Sequence, residues 1–164
     1  KHVDVRRERI DLGELLNEVL GFLQKEAHYR GLTVGVELEP GLPAIHSDRG
    51  QLQQVFLNIV NNAFAAVDDH GTIEITARAL DGDRVEVSIT DNGSGIPEDI
   101  LQHIFEPFFS TKGTQGTGLG LSITYGIVEK LEGAITVSST VGEGTTFTVK
   151  LPVKSRTIQG APDE

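Results

Sequence analysis

Over residues 11–30 the apolar side chains Leu12, Leu15, Leu16, Val19, Leu20 and Leu23 recur at intervals of three and four, the spacing of one helix face turned to a core. Asp11 is placed to cap that helix and Gly31 to stop it. The spacing predicts a single amphipathic helix here. Residues 33–38 read as a strand, and Pro40-Gly41-Leu42-Pro43 turns the chain toward a second helix. That helix opens at Asp48 with Gln51 three residues on, and runs to about Val67 on a stripe of Leu52, Val55, Phe56, Ile59, Ala63 and Ala66. The period then shortens to two. Residues 72–79 and 84–90 alternate around Asp81-Gly82 as an antiparallel hairpin. A glycine-rich region follows with one short helix over 98–103. After Gly118, the residues Leu119, Leu121, Ile123, Ile127, Val128 and Leu131 predict a third long helix, and 134–139 with 145–151 a closing hairpin around Gly142 and Gly144.

This order predicts an α/β two-layer sandwich, with three main helices on one face of a mixed, mostly antiparallel sheet whose other face is open. One domain over 11–153 suits a chain of 164 residues, 38% hydrophobic and 23% charged. Residues 154–164 are polar, contain Gly160 and Pro162, and are expected to be a disordered tail.

Charge and cysteine count narrow the chemistry. A net charge of −10 excludes a nucleic-acid-binding surface, so any phosphate must be held locally with a metal ion's help. The absence of cysteine excludes a disulfide framework and thiolate metal sites, and fits a reducing, cytoplasmic setting. No run approaches the roughly 20 apolar residues that span a bilayer, and the N-terminal residues lack a signal-peptide pattern. No direct membrane contact is expected.

Three groups of residues carry candidate chemistry. Asn58, Asn61 and Asn62 interrupt an apolar helix, and Asn58 and Asn62, four apart, share one face where two amide oxygens can converge on a hard cation. Taken alone they are equally well read as hydrogen-bonded residues at the stripe's edge. Asp91-Asn92-Gly93-Ser94-Gly95-Ile96-Pro97 follows a strand directly. Its glycines let backbone approach a ligand, and Asp91 can accept a hydrogen bond from an exocyclic amine, although Asp-Asn-Gly is also an ordinary turn. Gly116-Thr117-Gly118-Leu119-Gly120-Leu121 opens the third helix, where unobstructed N–H groups suit phosphate oxygens. It is neither the phosphate loop ending in Gly-Lys-Ser/Thr nor the dinucleotide fingerprint. Between the last two groups lie Phe105, Phe108, Phe109 and Lys112. The rings can anchor a mobile loop or simply pack in the core. Lys112 can swing onto a phosphate as a point charge, or be any surface lysine.

Taken in order, the Asn-rich helix, the Asp-x-Gly-x-Gly turn, the Phe-rich segment and the Gly-x-Gly-x-Gly helix start resemble the N, G1, F and G2 boxes of the histidine kinase ATP-binding domain. That family belongs to the superfamily of DNA gyrase, heat-shock chaperones and mismatch-repair ATPases. The resemblance runs from about Ile10 to Val153 and includes the closing stretch Gly142-Glu143-Gly144-Thr145-Thr146-Phe147. The short segment 105–117, with Ser110-Thr111-Lys112, is similar to kinases of the nitrogen-regulation type. The resemblance implies a Bergerat-type sandwich that binds ATP and Mg²⁺. Asp91 would take the adenine amino group, Ala66, Gly93, Gly95 and Ile96 would line the base pocket, and Thr145 would support it. Asn62, with Asn58 beside it, would coordinate Mg²⁺. Lys112 and the backbone of Gly116, Thr117, Gly118, Leu119 and Gly120 would hold the β- and γ-phosphates beneath a lid, expected to be disordered over about 110–117 without nucleotide. The implied reaction is γ-phosphoryl transfer to a histidine, and the implied partners are a dimerisation and phosphoacceptor domain and a response regulator.

Departures from the pattern are informative. None of His2, His28, His46, His70 and His103 has the acceptor context of the family, an acidic residue directly after the histidine and then a basic residue and proline. Residues 1–10 are therefore expected to be the tail of dimerisation helices or a linker, with the acceptor upstream. Leu131-Glu132-Gly133 replaces the family's frequent His-Gly-Gly and leaves that turn open to question. A hydrolase of the gyrase kind would place a glutamate one turn before the metal-binding Asn, where this chain has Asn58, which cannot take a proton from water. The other rivals are a non-catalytic docking module and a serine kinase of the anti-sigma-factor type.

Overall fold

Asp11 accepts the Glu14 N–H at 3.1 Å and caps helix α1 (Leu12–Gly21), which buries Leu12, Leu15, Leu16 and Val19. The structure, a computed structural model, describes residues 7–107 and 120–154. The single helix expected over 11–30 is two. At Phe22 and Leu23 the bonds tighten to Phe22 N–H with Val19 O and Leu23 N–H with Leu20 O, and a second helix α2 (Gln24–Arg30) restarts from Leu23. Gly21 weakens the helix at this point. Leu20, Leu23 and Ala27 all still pack on the core, so the apolar spacing carries across the break. Gly31 ends α2 in the left-handed region at φ 69°, as the sequence predicts.

Two short strands escape the sequence pattern. β1 (Glu8–Ile10) pairs antiparallel with β3 (Ile45–Ser47), and Ile10 and Ile45, opposite each other, are fully buried. Residues 8–10, expected within a helical tail or linker, thus form a strand of the packed unit. Three-residue strands are too short to show an alternation.

Helix α3 (Arg49–Ala66) is capped by Asp48, which accepts the Gln51 N–H at 3.0 Å, and buries Leu52, Val55, Phe56, Ile59, Val60, Ala63 and Phe64. At its far end the Arg30 guanidinium donates to the Phe64 carbonyl at 2.8 Å and the Val67 carbonyl at 2.6 Å, satisfying acceptors that the helix end leaves open.

The main sheet contains β2 (Thr33–Leu38), β4 (Thr72–Asp81), β5 (Arg84–Asp91), β6 (Ala134–Thr140) and β7 (Gly144–Pro152) in the order β2-β4-β5-β7-β6. Only β2 and β4 run parallel; the other neighbours are antiparallel. Alternate residues Ile73, Ile75, Val85, Val87, Ile89, Phe147, Val149 and Leu151 are buried, each stabilising the fold by about 1.5–3 kcal/mol relative to exposure. The opposite face carries polar pairs such as Thr90 with Thr146 at 2.9 Å. α4 (Glu98–Leu101) and α5 (Gly120–Lys130) follow the expected order. The turn after α5 keeps its geometry with Glu132 itself at φ 65°, while Gly133 donates to the Val128 carbonyl. The expected α/β sandwich, helices on one face of a mixed sheet, is the fold observed.

Candidate functional site

The carboxyl end of β5 brings three polar side chains into one row. Asp91 lies opposite Thr145 of β7, and Thr145 lies opposite Ser139 of β6. All three occupy the face of the sheet that the helices cover. Asp91 is 5% exposed and has no cationic partner among the described residues. Its Oδ1 accepts the Gly93 N–H at 2.8 Å, and it also accepts from the Thr145 backbone. Burial pushes the Asp91 carboxyl above its ordinary value, and these two N–H groups oppose the shift. A buried carboxylate with acceptor capacity to spare suits a ligand that brings N–H donors.

Glycines allow the turn after Asp91 to close around it. A Cβ on Gly93 would fall on the Ala66 carbonyl, and one on Gly144 (φ 134°) would fall on the Asp91 backbone. Ser139 ties the turn to the hairpin: its Oγ accepts the Ile96 N–H at 2.8 Å, donates to the Gly144 carbonyl at 2.9 Å and lies 2.8 Å from Thr145 Oγ1. Gly95 turns at φ 80° against Thr140, and Asn92 Oδ1 accepts the Thr72 N–H at 2.9 Å.

Along α3, Asn58, Asn62 and Ala66 follow at intervals of four and so share a face. That face runs from the start of α5 to the Gly93 turn. The Asn58 amide donates to Thr124 Oγ1 at 3.0 Å and to the Gly120 carbonyl at 3.3 Å, while its Oδ1 accepts from Gln54. Asn62 is half-buried and its side chain makes no hydrogen bond to another described residue, and Asn61 is exposed. The two amides that the sequence groups together therefore differ: Asn58 is engaged with α5, whereas the Asn62 side chain has no partner among the described residues. No group of three His, Cys, Asp or Glu able to hold a metal exists among the described residues. An amide oxygen suits Mg²⁺ that draws its remaining ligands from phosphates and water.

The structure thus brings Asp91, Gly93, Gly95, Ile96, Thr145 and Ala66 together at one end of this face, and Asn58 and Gly120 at the other. Lys112, Gly116, Thr117, Gly118 and Leu119, with Phe108, Phe109 and the expected lid, lie outside the described residues. Phe105 packs on Tyr125 at 5.3 Å and on Phe147 at 6.3 Å between ring centroids, so its ring joins the core. Sequence reasoning missed Ser139 and Arg30. Ser139 lies in an ordinary Ser-Ser-Thr run, and only the strand register sets it beside Thr145.

The family profile described as histidine kinase-, DNA gyrase B-, and HSP90-like ATPase matches residues 47–155, and the chain belongs to this family. It is 42% identical over 144 residues to the sensor histidine kinase ZraS of Escherichia coli (strain K12), covering 88% of this chain and 30% of ZraS. The catalytic domain of histidine kinase ThkA superposes with a TM-score of 0.84 at 33% identity, covering 93% of this chain and 99% of that one. Full-length ShkA, solved in complex with AMPPNP, gives a TM-score of 0.85 at 32% identity, covering 93% of this chain and 32% of ShkA. The chain spans between about a fifth and a third of the length of the full-length relatives it matches. No helix among the described residues is long and apolar enough to cross a membrane.

Proposed function

We propose that this chain is the ATP-binding catalytic domain of a two-component sensor histidine kinase, which binds Mg-ATP and gives the γ-phosphoryl group to a histidine of a dimerisation domain. The observation that carries the reading is the buried Asp91, held by the Gly93 N–H at 2.8 Å and walled by Ala66, Gly93 and Thr145. Asp91 accepts the exocyclic amine of adenine, while Ala66, Gly93, Gly95 and Ile96 line the base pocket and Thr145 supports it. The AMPPNP complex of the similar ShkA supports a nucleotide here.

Asn62 would supply an oxygen ligand to Mg²⁺, while Asn58 one turn earlier holds the start of α5 against α3. Bound Mg²⁺ would offset phosphate charge as the γ-phosphoryl group leaves. Gly116, Thr117, Gly118, Leu119 and Gly120 offer backbone N–H groups to the β- and γ-phosphates, and Lys112 adds a positive charge. Water attack is disfavoured because the Asn58 side chain is a neutral amide bonded to Thr124 and Gln54, which leaves no base one turn before Asn62. The reading places the chain in the cytoplasm, with a dimerisation domain of the same protein and a response regulator as partners.

The test supplies this chain and γ-labelled ATP to the dimerisation domain of its own full-length protein. Label on that domain that is lost in mild acid supports phosphohistidine. Acid-stable label points instead to serine transfer, and inorganic phosphate alone points to a hydrolase.

A further inference from the structure

The hydrogen bonds at Ser139 fix the direction of a proton that no single residue determines. Ser139 Oγ carries one hydrogen and two lone pairs. Its three neighbours are the Ile96 N–H at 2.8 Å, the Gly144 carbonyl at 2.9 Å and the Thr145 hydroxyl at 2.8 Å. The Ile96 N–H can only donate, so Ser139 accepts from it. The Gly144 carbonyl can only accept, so the hydrogen of Ser139 goes there. One lone pair remains, and the Thr145 hydroxyl must donate into it.

That donation uses Thr145's only hydroxyl hydrogen. Thr145 Oγ1 makes no other hydrogen bond among the described residues, so it keeps two lone pairs and no proton to offer. Thr145 stands directly across from Asp91 in the strand register. The Asp91 carboxylate is itself an acceptor, already holding the Gly93 N–H. Side by side, then, stand two side chains that can only accept.

We propose that Ser139 is a specificity-determining residue for the nucleobase: by holding the Thr145 hydroxyl proton, it makes Thr145 an obligate acceptor beside Asp91, so that the site takes a 6-amino purine and rejects a 6-oxo purine. The inference rests on the reading that Asp91 meets the adenine amino group. An amino group at the 6-position brings two hydrogens to two acceptors. A carbonyl oxygen there brings lone pairs against lone pairs, and a buried acceptor facing an acceptor is left unsatisfied. Ser139 acts through Thr145 and is a positioning residue. Its removal frees the Thr145 hydroxyl to rotate and donate to a 6-oxo group.

Competition binding of ATP and inosine triphosphate in the presence of Mg²⁺ tests this on wild type, Ser139→Ala, Ser139→Thr, Thr145→Val and the Ser139→Ala/Thr145→Val double variant. The readout is the ratio of the two dissociation constants, which a merely structural weakening of the pocket leaves unmoved. Ser139→Ala is expected to narrow the preference for ATP about tenfold, chiefly by tightening inosine triphosphate. Ser139→Thr, which keeps the hydroxyl, retains the wild-type ratio. Thr145→Val narrows it to a similar degree, and adding Ser139→Ala to that background changes it no further. An unchanged ratio in Ser139→Ala with ATP binding intact overturns the inference alone, as does a further narrowing in the double variant. Should Ser139→Ala not fold, an unchanged ratio in Thr145→Val overturns it equally. A folded wild type that binds neither nucleotide overturns the nucleotide reading, and this inference with it.

Discussion

Gly93→Ala isolates the close approach on which the site's geometry depends. Gly93 follows Asp91 by two residues and packs against the last turn of α3. A Cβ built there lies 2.7 Å from the Ala66 carbonyl carbon and 2.9 Å from Asp91 Oδ1, against an ordinary carbon–carbon separation of about 3.5–4.0 Å. The shortfall is roughly 1 Å, and the Ala66 obstacle is backbone, so no side-chain rotation relieves it. The turn or the helix end must move, and moving the turn lengthens the 2.8 Å bond from Gly93 N–H to Asp91. Overpacking costs about 1–3 kcal/mol, and weakening a hydrogen bond to a charged acceptor adds about 1 kcal/mol, so about 2–4 kcal/mol is expected. In a chain of 164 residues each kcal/mol lowers Tm by roughly 2–4 °C. Thermal unfolding by circular dichroism should therefore show a fall of about 5–15 °C, with ATP affinity reduced at least about tenfold. Gly82→Ala, where a Cβ meets nothing within 4 Å, is the control and should leave stability unchanged or raised by up to about 1 kcal/mol. A Gly93→Ala variant with wild-type Tm and ATP affinity would refute the reasoning.

Other outcomes follow from the same structure. Gly133→Ala, whose Cβ would fall on the Lys150 carbonyl, should destabilise the chain by about 1–3 kcal/mol, read as a lower urea midpoint. Arg30→Ala removes the donors to the Phe64 and Val67 carbonyls and to Asp69, and should cost about 2–4 kcal/mol, read as a lower urea midpoint at unchanged slope. Burial holds the Asp91 carboxyl above its ordinary value of 3.8. Its contribution to stability is thus fully present below 3.8 and lost as pH rises through the folded-state value. Asp91→Asn should accordingly gain stability relative to wild type as pH rises through that window, and a constant difference between the two would contradict the assignment.

Some of this was open to reading in the chain and some was not. α3 was legible because Asp48 caps it and its buried stripe keeps a helical period from Leu52 to Ala63. The break at Phe22 was not, because Leu20, Leu23 and Ala27 pack on the core on both sides of it. β1 and β3 are three residues each, and their pairing is a long-range contact that no local pattern encodes. At the site, Asp91 and its glycines stood out only as one member of the ordered set of Asn-rich helix, glycine turn, Phe-rich segment and glycine helix start, because Asp-Asn-Gly alone is also an ordinary turn. The different engagement of Asn58 and Asn62 was not legible, since it depends on where α5 docks. Ser139 depends on strand register alone, and a hydroxyl's role as donor or acceptor is fixed only when all its neighbours are known.

The most direct test of the central claim is calorimetric titration of the chain with a non-hydrolysable ATP analogue, with and without Mg²⁺, alongside Asp91→Ala and Asn62→Ala. The account predicts binding by wild type, its abolition in Asp91→Ala, and loss of the Mg²⁺ dependence in Asn62→Ala with nucleotide binding retained. A well-folded wild-type chain that binds no nucleotide would contradict it and leave a docking module as the better reading, and an Asp91→Ala variant that binds as wild type does would contradict the role given to Asp91.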